Sequence, residues 1–541
     1  TWMRDLEAPI SASLRTSFDD SGDLGLLHAA LEIGPGALQP NPATVPVPFD
    51  LVKAYLTYDP VRDSIAFREV DVQSAWGAFG ATGVAYLREF QGGLPRALLA
   101  QLSLDDVTIT RPDLFEAPPL VPHAIGDFRI RFDPFSVQIG QIVLNDGPMR
   151  AVAAGAVSAA PDGWHVALDA KLSETTPEQV IAVWPQNIRR GTKAWVTNNI
   201  LAGRLFNGQA GLRVRPGKPP VFAAGFEFSD AAVRFLRDMP IITGAAGVAR
   251  FEGAGFIVAV DDGVISAPQG GQLDLGGSVF AIPDLRIKPA APAYVELTTD
   301  SSITAVLSIL NQPPFMFMDR ARLPVTLADG RAFVNGRVDW PLKPRATFDE
   351  ISFEVASDMR NVRSTLVTDR ILVAPELSVV ADPAGLQLTG LVNLDGAVAD
   401  AVWQRPFGGP NGDTSQIQAD VTLSPEFLTA LDVSLPPGTV SGAANGLLTI
   451  DLQQDQPPAF TLRSDLRGMQ VAVPAVGWSK TPQEPASLLI EGRLGELPEI
   501  RNLEIEGGGL SAIGRITLAA GGGFDSSIFQ RVRIENWFVA E

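Results

Sequence analysis

The sequence predicts a mainly β protein, elongated and built from repeated antiparallel units with a few short helices. Three observations predict it. Apolar and polar residues alternate with period two along most of the chain, as in strands with one apolar and one polar face. Glycine (51) and proline (43) are spread along the whole length, which suits many short strands joined by turns. A cluster of capped helix, proline, glycine-rich strand and Ser-Asp recurs at a fixed interval, the signature of a stacked supersecondary unit.

The recurring helix starts are Thr176-Pro177-Glu178, Asp300-Ser301-Ser302 and Ser424-Pro425-Glu426, separated by two intervals of 124 residues. Prolines follow at Pro185, Pro313-Pro314 and Pro436-Pro437, and the Ser-Asp pairs are Ser229-Asp230, Ser357-Asp358 and Ser464-Asp465. This spacing divides the chain into a lead-in over 1–20, a divergent first β-unit over 21–175, and units over 176–299, 300–423 and 424–541, the last truncated.

Taken in order, Phe128, Ile130 and Phe132 alternate with Arg129 and Arg131, and Phe135-Ser136-Val137-Gln138-Ile139 repeats the pattern. A helix is expected over Pro177–Val183, capped by Thr176 with proline at its first position. A second is expected over Arg190–Asn199, stopping at Gly203. Phe222, Phe226 and Phe228 share one face of a strand and Glu227 the other, while Phe256, Val258 and Val260 form a similar face further on. Helices are expected over Ser301–Leu310 after Asp300 and over Pro425–Leu431 after Ser424. Ile351, Phe353 and Val355 form another apolar face, then Leu448, Ile450 and Leu452, then Leu503 and Ile505. Turns are expected at Asp261-Asp262-Gly263, Pro268-Gln269-Gly270-Gly271, Asp329-Gly330, Pro383-Ala384-Gly385 and Gly521-Gly522-Gly523. The remainder reads as strand and turn, on the order of 30 strands at roughly 12–15 residues each.

Composition narrows the function. At 46% apolar and 19% charged there is ample side chain to bury, which argues against disorder. A net charge of −19 repels phosphate backbones, so nucleic acid is a poor partner. The absence of cysteine removes disulfides, thiolate metal sites and cysteine nucleophiles, but leaves the compartment open. No run of 18 apolar residues is present to span a membrane as a helix, and no signal peptide is read. The chain starts at Thr1 without methionine, as expected of an excised piece whose targeting or anchoring segment lies upstream.

Catalytic and metal constellations do not assemble in the sequence. His28, His123 and His165 are far apart and lack metal-ligand spacing, so they read as isolated strand or loop residues. The Ser-Asp pairs have no nearby histidine to act as base and read as strand-end turns. Gly507-Gly508-Gly509 and Gly521-Gly522-Gly523 lack the lysine and helix of a phosphate loop. Arg189, Arg190, Lys193 and Arg204, interleaved with Trp184 and Trp195, read as a solvated helix with packed tryptophans; contact with anionic headgroups or an acidic partner is the alternative. No cofactor and no metal is expected. Alternation alone leaves open whether the apolar strand faces meet in a closed sandwich or line an open groove.

The stretch from Trp184 through Gln186, Asn187, Arg190, Gly191, Lys193 and Trp195 to Val196, with Gly203 and Gly211, resembles YhdP-type members of the AsmA-like envelope proteins. So do Ser229-Asp230-Ala231 through Arg234-Phe235 and Met239-Pro240 to Gly247, Phe251 and Gly253, and Ser464-Asp465-Leu466-Arg467-Gly468 through Pro474 to Trp478. The resemblance runs from about 175 to 520. It implies a repeating periplasmic β-groove with an apolar interior, anchored in the inner membrane by an N-terminal helix absent from this chain. It also implies a non-enzymatic role, moving phospholipids between inner and outer membranes. On that reading the lipid-groove residues are Phe128, Ile130, Phe132, Phe222, Phe226, Phe228, Phe256, Val258, Val260, Ile351, Phe353, Val355, Leu448, Ile450 and Leu452, and the partners are phospholipid acyl chains, the inner membrane and other envelope proteins. The alternatives are a structural or assembly protein with closed sheets and, more remotely, a carbohydrate-active β-repeat enzyme.

Overall fold

A computed structural model describes residues 6–18, 20–110, 120–146, 149–184, 190–343, 346–367, 370–408, 414–431, 433, 435–453, 456–474, 477–495, 499–518 and 524–535. The chain forms two compact units. The first comprises 1–237, 241–263 and 280–291, and the second 238–240, 264–279 and 292–541. Strand dominates both and helices are few and short, as the alternation predicts.

In the first unit the sheet follows chain order. Strands Ile10–Arg15, Leu27–Ile33, Leu51–Asp59, Ser64–Ser74, Gly77–Arg88 and Ala97–Thr108 each pair antiparallel with the next. The ladder continues through Leu120–Phe132, Phe135–Asp146, Met149–Ala160, Gly163–Thr175, Ile200–Val214, Val221–Val233 and Ile242–Glu252. Among the described strands Ile10–Arg15 pairs on one side only, and all six of its residues are exposed. That strand is therefore a free edge, and the sheet does not close through it.

The second unit repeats this plan. Strands from Pro292–Ser302 through Ala328–Pro341, Ser352–Ser364, Leu372–Asp382, Gly385–Leu394, Ala397–Pro406 and Thr414–Leu423 form one antiparallel meander. Ala444–Gln453, Ala459–Ser464, Ser487–Arg493, Glu499–Gly507, Leu510–Leu518 and Phe524–Ile534 extend it. A closed core lies beside this sheet. Helix Pro425–Ala430 inserts Phe427 among Val421, Leu423, Leu466 and Met469, all at most 9% exposed. A small sheet of Val440–Gly442, Met469–Val473 and Trp478–Lys480 flanks it.

The helix starts have local causes. Thr176 accepts from the Gln179 backbone N–H while the Gln179 side chain accepts from the Thr176 N–H, a reciprocal cap that begins helix Pro177–Ala182. Ser424 caps Pro425–Ala430 in the same sense. Helix Arg190–Asn199 has the expected bounds. The second recurring helix starts later than the sequence implies. Its N-cap is Ser302, which accepts from Ala305 N–H at 3.0 Å, and the helix is Ile303–Leu310. Asp300 and Ser301 still belong to strand Pro292–Ser302, where Asp300 pairs with Arg331. The short helix Phe317–Ala321 has no sequence counterpart above.

Several punctuation marks prove to lie inside strands. Asp261-Asp262-Gly263 lies inside strand Gly255–Ser266, and Asp329-Gly330 inside Ala328–Pro341. At the latter, Gly330 takes φ +130° and the register shifts between Asp329 and Arg331, bending the strand without ending it. Ser229-Asp230 behaves likewise: Asp230 takes φ +52° and the strand continues to Val233. Ser357-Asp358 sits mid-ladder with no break, so of the three pairs only Ser464-Asp465 marks a strand end. Pro185 and Gly521-Gly522-Gly523 lie outside the described residues.

Candidate functional site

Cross-strand register sorts the alternating residues into rows. Residues directly opposite in an antiparallel pair share a face, so a row can be followed from strand to strand. In the first unit one row reads Ala29, Leu56, Phe67, Gly83, Leu102, Gly126, Ile142, Ala153, Ala170, Ala210, Ala224 and Phe251. It crosses twelve strands without a polar side chain. A neighbouring row reads Ile65, Ala85, Ala100, Phe128, Ile139, Gly155, Leu168, Leu212 and Phe222.

The sequence-chosen residues fall on this face. Ile130 lies opposite Leu98 and Val137, and Phe132 opposite Phe135. Phe226 lies opposite Ala249, and Phe228 opposite Leu205 and Gly247. Phe226, Phe228 and Val258 meet in one cluster with Leu205, Val233 and Ile242. Phe256 stacks on Phe251 with ring centroids 4.3 Å apart and meets Phe280 edge-on at 6.4 Å. Val260 is half-buried beyond them.

Burial separates a closed core from an open face. A facing sheet would cover the tips of the large side chains. Here Leu56, Phe67, Leu102, Phe128, Ile130, Ile142, Leu168 and Phe226 are only half-buried, and Phe222 is 48% exposed. The deeply buried positions are chiefly alanines such as Ala85, Ala100 and Ala124, shaded by taller neighbours. Twelve strands about 4.8 Å apart, with three apolar positions per strand, make an apolar surface on the order of 1,000 Å². That exceeds the few hundred Å² typical of the largest patch on a soluble monomer.

The opposite face is charged and self-paired. Arg213 pairs with Asp169 at 2.8 Å, Arg204 with Asp230 at 2.7 Å, and Arg129 and Arg131 both reach Glu89. Arg204, then Ser229, holds the Asp230 carboxyl below the usual carboxylate range by hydrogen bonding to its charged form. Two members of the basic cluster read from the sequence are engaged within the chain. Arg204 is neutralised by Asp230, and Lys193 donates to the Trp184 carbonyl at 2.8 Å. Arg189 and the Arg190 side chain lie outside the described residues, and Trp195 is 47% exposed rather than packed. The histidines are separate: His123 meets Asp105, His165 meets Asp162 and His28 meets Thr57.

The second unit carries an equivalent row: Leu388, Trp403, Ile417, Ile450, Phe460, Gly492, Ile500 and Ile516. Apart from the glycine its members are half-buried. Leu448 lies opposite Ala419 and Leu462 on the same face, with Leu452 opposite Ser415. Phe353 lies opposite Val338, and Val355 opposite Gly336 and Ala381. Ile351 is a correction: the strand begins at Ser352, so Ile351 precedes the ladder. Sequence reasoning missed row members on strands it did not single out, such as Leu102, Leu168 and Trp403. Their signal is register, which bulges shift unpredictably.

A family model described as YhdP protein matches residues 64–503. The chain belongs to the YhdP family. It is thus an AsmA-like protein, and the matched span covers most of the apolar rows, from Phe67 to Phe251 in the first unit and from Leu388 to Ile500 in the second. No curated protein matches the chain. The YhdP match agrees with the repeated antiparallel sheet and the few capped helices.

Proposed function

We propose that this YhdP-family chain binds phospholipid acyl chains along its apolar sheet face and conducts them between the inner and outer membranes. The reading places it in the periplasm, as a conduit rather than an enzyme. What carries it is the unbroken apolar row across twelve strands whose large side chains remain half-exposed. Each methylene moved from water onto such a face gains about 0.8 kcal/mol, so a chain of 16 carbons has ample driving force to stay bound. The opposite face carries ion pairs such as Arg213–Asp169 and Arg204–Asp230, and its exposed apolar side chains, such as Tyr55, Leu99 and Ile125, stand among charged ones. The family assignment to envelope proteins supports the location.

The test is lipid extraction and mass spectrometry of gently purified protein. Copurifying phospholipid, lost on Phe226→Asp with thermal stability retained, is the expected result. Protein free of lipid under those conditions, or lipid unchanged by charges placed along the row, would sink the reading and favour a structural role in the envelope.

A further inference from the structure

On the polar face of the first unit two cations without an ion-pair partner among the described residues stand side by side. On neighbouring strands the arginines are matched, Arg213 to Asp169 and Arg204 to Asp230. Arg150 and Lys171 are not: neither has an ion-pair partner among the described residues. They line an open recess of about 370 Å³ with Ser173, Asn207, Gln209 and Glu227. Lys171 lies opposite Gln209 in the ladder, and Arg150 N–H donates to Ser173 Oγ at 2.9 Å, which sets the two cations on adjacent strands. The recess exists because the ladder is irregular here. Asn207 takes φ +52°, and the register shifts between Phe206 and Gln209, leaving the surface unfilled.

The charges are arranged with polarity. Arg150 and Lys171 stand at one side, and Glu227, two strands beyond Lys171, at the other. Two strand spacings of about 4.8 Å and a two-residue offset along the strand put the backbones of Lys171 and Glu227 roughly 12 Å from each other, a gap that their long side chains narrow. A phosphate dianion would meet two cations but also a facing carboxylate. A singly charged phosphate diester that carries a primary ammonium would satisfy both ends, and the Ser173, Asn207 and Gln209 side chains would supply neutral hydrogen bonds.

We propose that this recess binds a zwitterionic phosphoethanolamine group, its phosphate on Arg150 and Lys171 and its ammonium on Glu227. The site lies on the face opposite the apolar rows, so it does not depend on acyl chains binding there.

Calorimetric titration of the full chain tests this with glycerophosphoethanolamine and, as the amine-free control, glycerophosphoglycerol. The amine-bearing diester is expected to bind at least tenfold tighter. Glu227→Gln should abolish that preference while leaving phosphodiester binding, and Arg150→Gln with Lys171→Gln should remove both. Equal affinity for the two diesters, or binding retained in the double variant, overturns the proposal. Arg150 and Lys171 are exposed and Glu227 is half-buried, and an unchanged thermal midpoint confirms that the variants are folded. Cosedimentation with phosphatidylethanolamine vesicles distinguishes the source. Loss of vesicle binding in the double variant assigns a membrane headgroup, and binding of the soluble diester alone assigns a free one. Vesicle binding that persists in the double variant while the soluble diester does not bind overturns the site.

Discussion

The ring of Phe228 lies against the backbone of Gly247, its directly opposed partner across the ladder. A Cβ built on Gly247 would stand 3.1 Å from Phe228 Cζ and 2.1 Å from the Ala259 carbonyl oxygen. The phenyl ring and the neighbouring strand thus occupy the space a side chain would need. Gly247→Ala should cost about 2 kcal/mol by overpacking, lowering the thermal midpoint by about 4–8 °C. Gly191 is the control. It is helical, its Cβ would meet nothing within 4 Å, and Gly191→Ala should be neutral or stabilising. Equal effects of the two substitutions in a melting experiment would contradict this packing.

Phe226 and Phe228 share a strand and a face but not an environment. Phe228 is 8% exposed within its cluster, and Phe226 is half-exposed beside it. Phe228→Asp buries an unpaired carboxylate and should destabilise by about 3–5 kcal/mol, enough to unfold a marginal unit. Phe226→Asp leaves its carboxylate access to water and should cost much less. Denaturant unfolding of both variants decides it. Similar losses for the two would mean the face around Phe226 is closed.

The fold class was legible because strand alternation survives even where tertiary detail does not. Phe128, Ile130 and Phe132 fall on one face for the same reason that the sequence assigns them there, since side chains alternate whatever the neighbours do. The rows were not legible. Leu168 and Leu212 become partners of Gly155 and Phe222 only through the register, and bulges at Asn207, Asp230 and Gly330 reset it. The same bulges explain the misplaced turns, because Asp-Gly can kink a continuing strand as well as end one. The helix after Asp300 begins late because Ser302 supplies the cap while Asp300 is engaged by Arg331. A choice among three adjacent capping residues is settled by such cross-strand partners, which the local sequence does not contain.

Lys480 holds the small flanking sheet of the second unit. It is 0% exposed, and its Nζ donates to the carbonyls of Leu466, Met469 and Thr481 at 2.7, 2.8 and 2.9 Å. Burial lowers its pKa, against the pull of Glu484 and Asp465. Lys480→Met fits the volume but leaves three carbonyls without their donor, so a loss of about 2–4 kcal/mol is expected. Hydrogen exchange should rise between residues 466 and 482. Unaltered exchange there would show that the lysine is a passenger.

The Lys343–Glu350 pair gives a pH dependence of defined sign. Lys343 first, then the backbone and hydroxyl of Thr347, hydrogen-bond the Glu350 carboxylate and depress its pKa from 4.5 to about 2. A carboxyl depressed by folding binds fewer protons in the native state than in the unfolded one between those two values. Its contribution is therefore complete above about pH 4.5 and is lost as pH falls towards 2. The pair is solvent-exposed enough for salt to weaken it. Carboxyl-detected NMR should show Glu350 titrating near 2. In Lys343→Met its midpoint should move up towards the usual range, with Thr347 keeping it from reaching it. A midpoint near 4.5 in the unmodified protein would mean that Lys343 and Glu350 do not pair in solution.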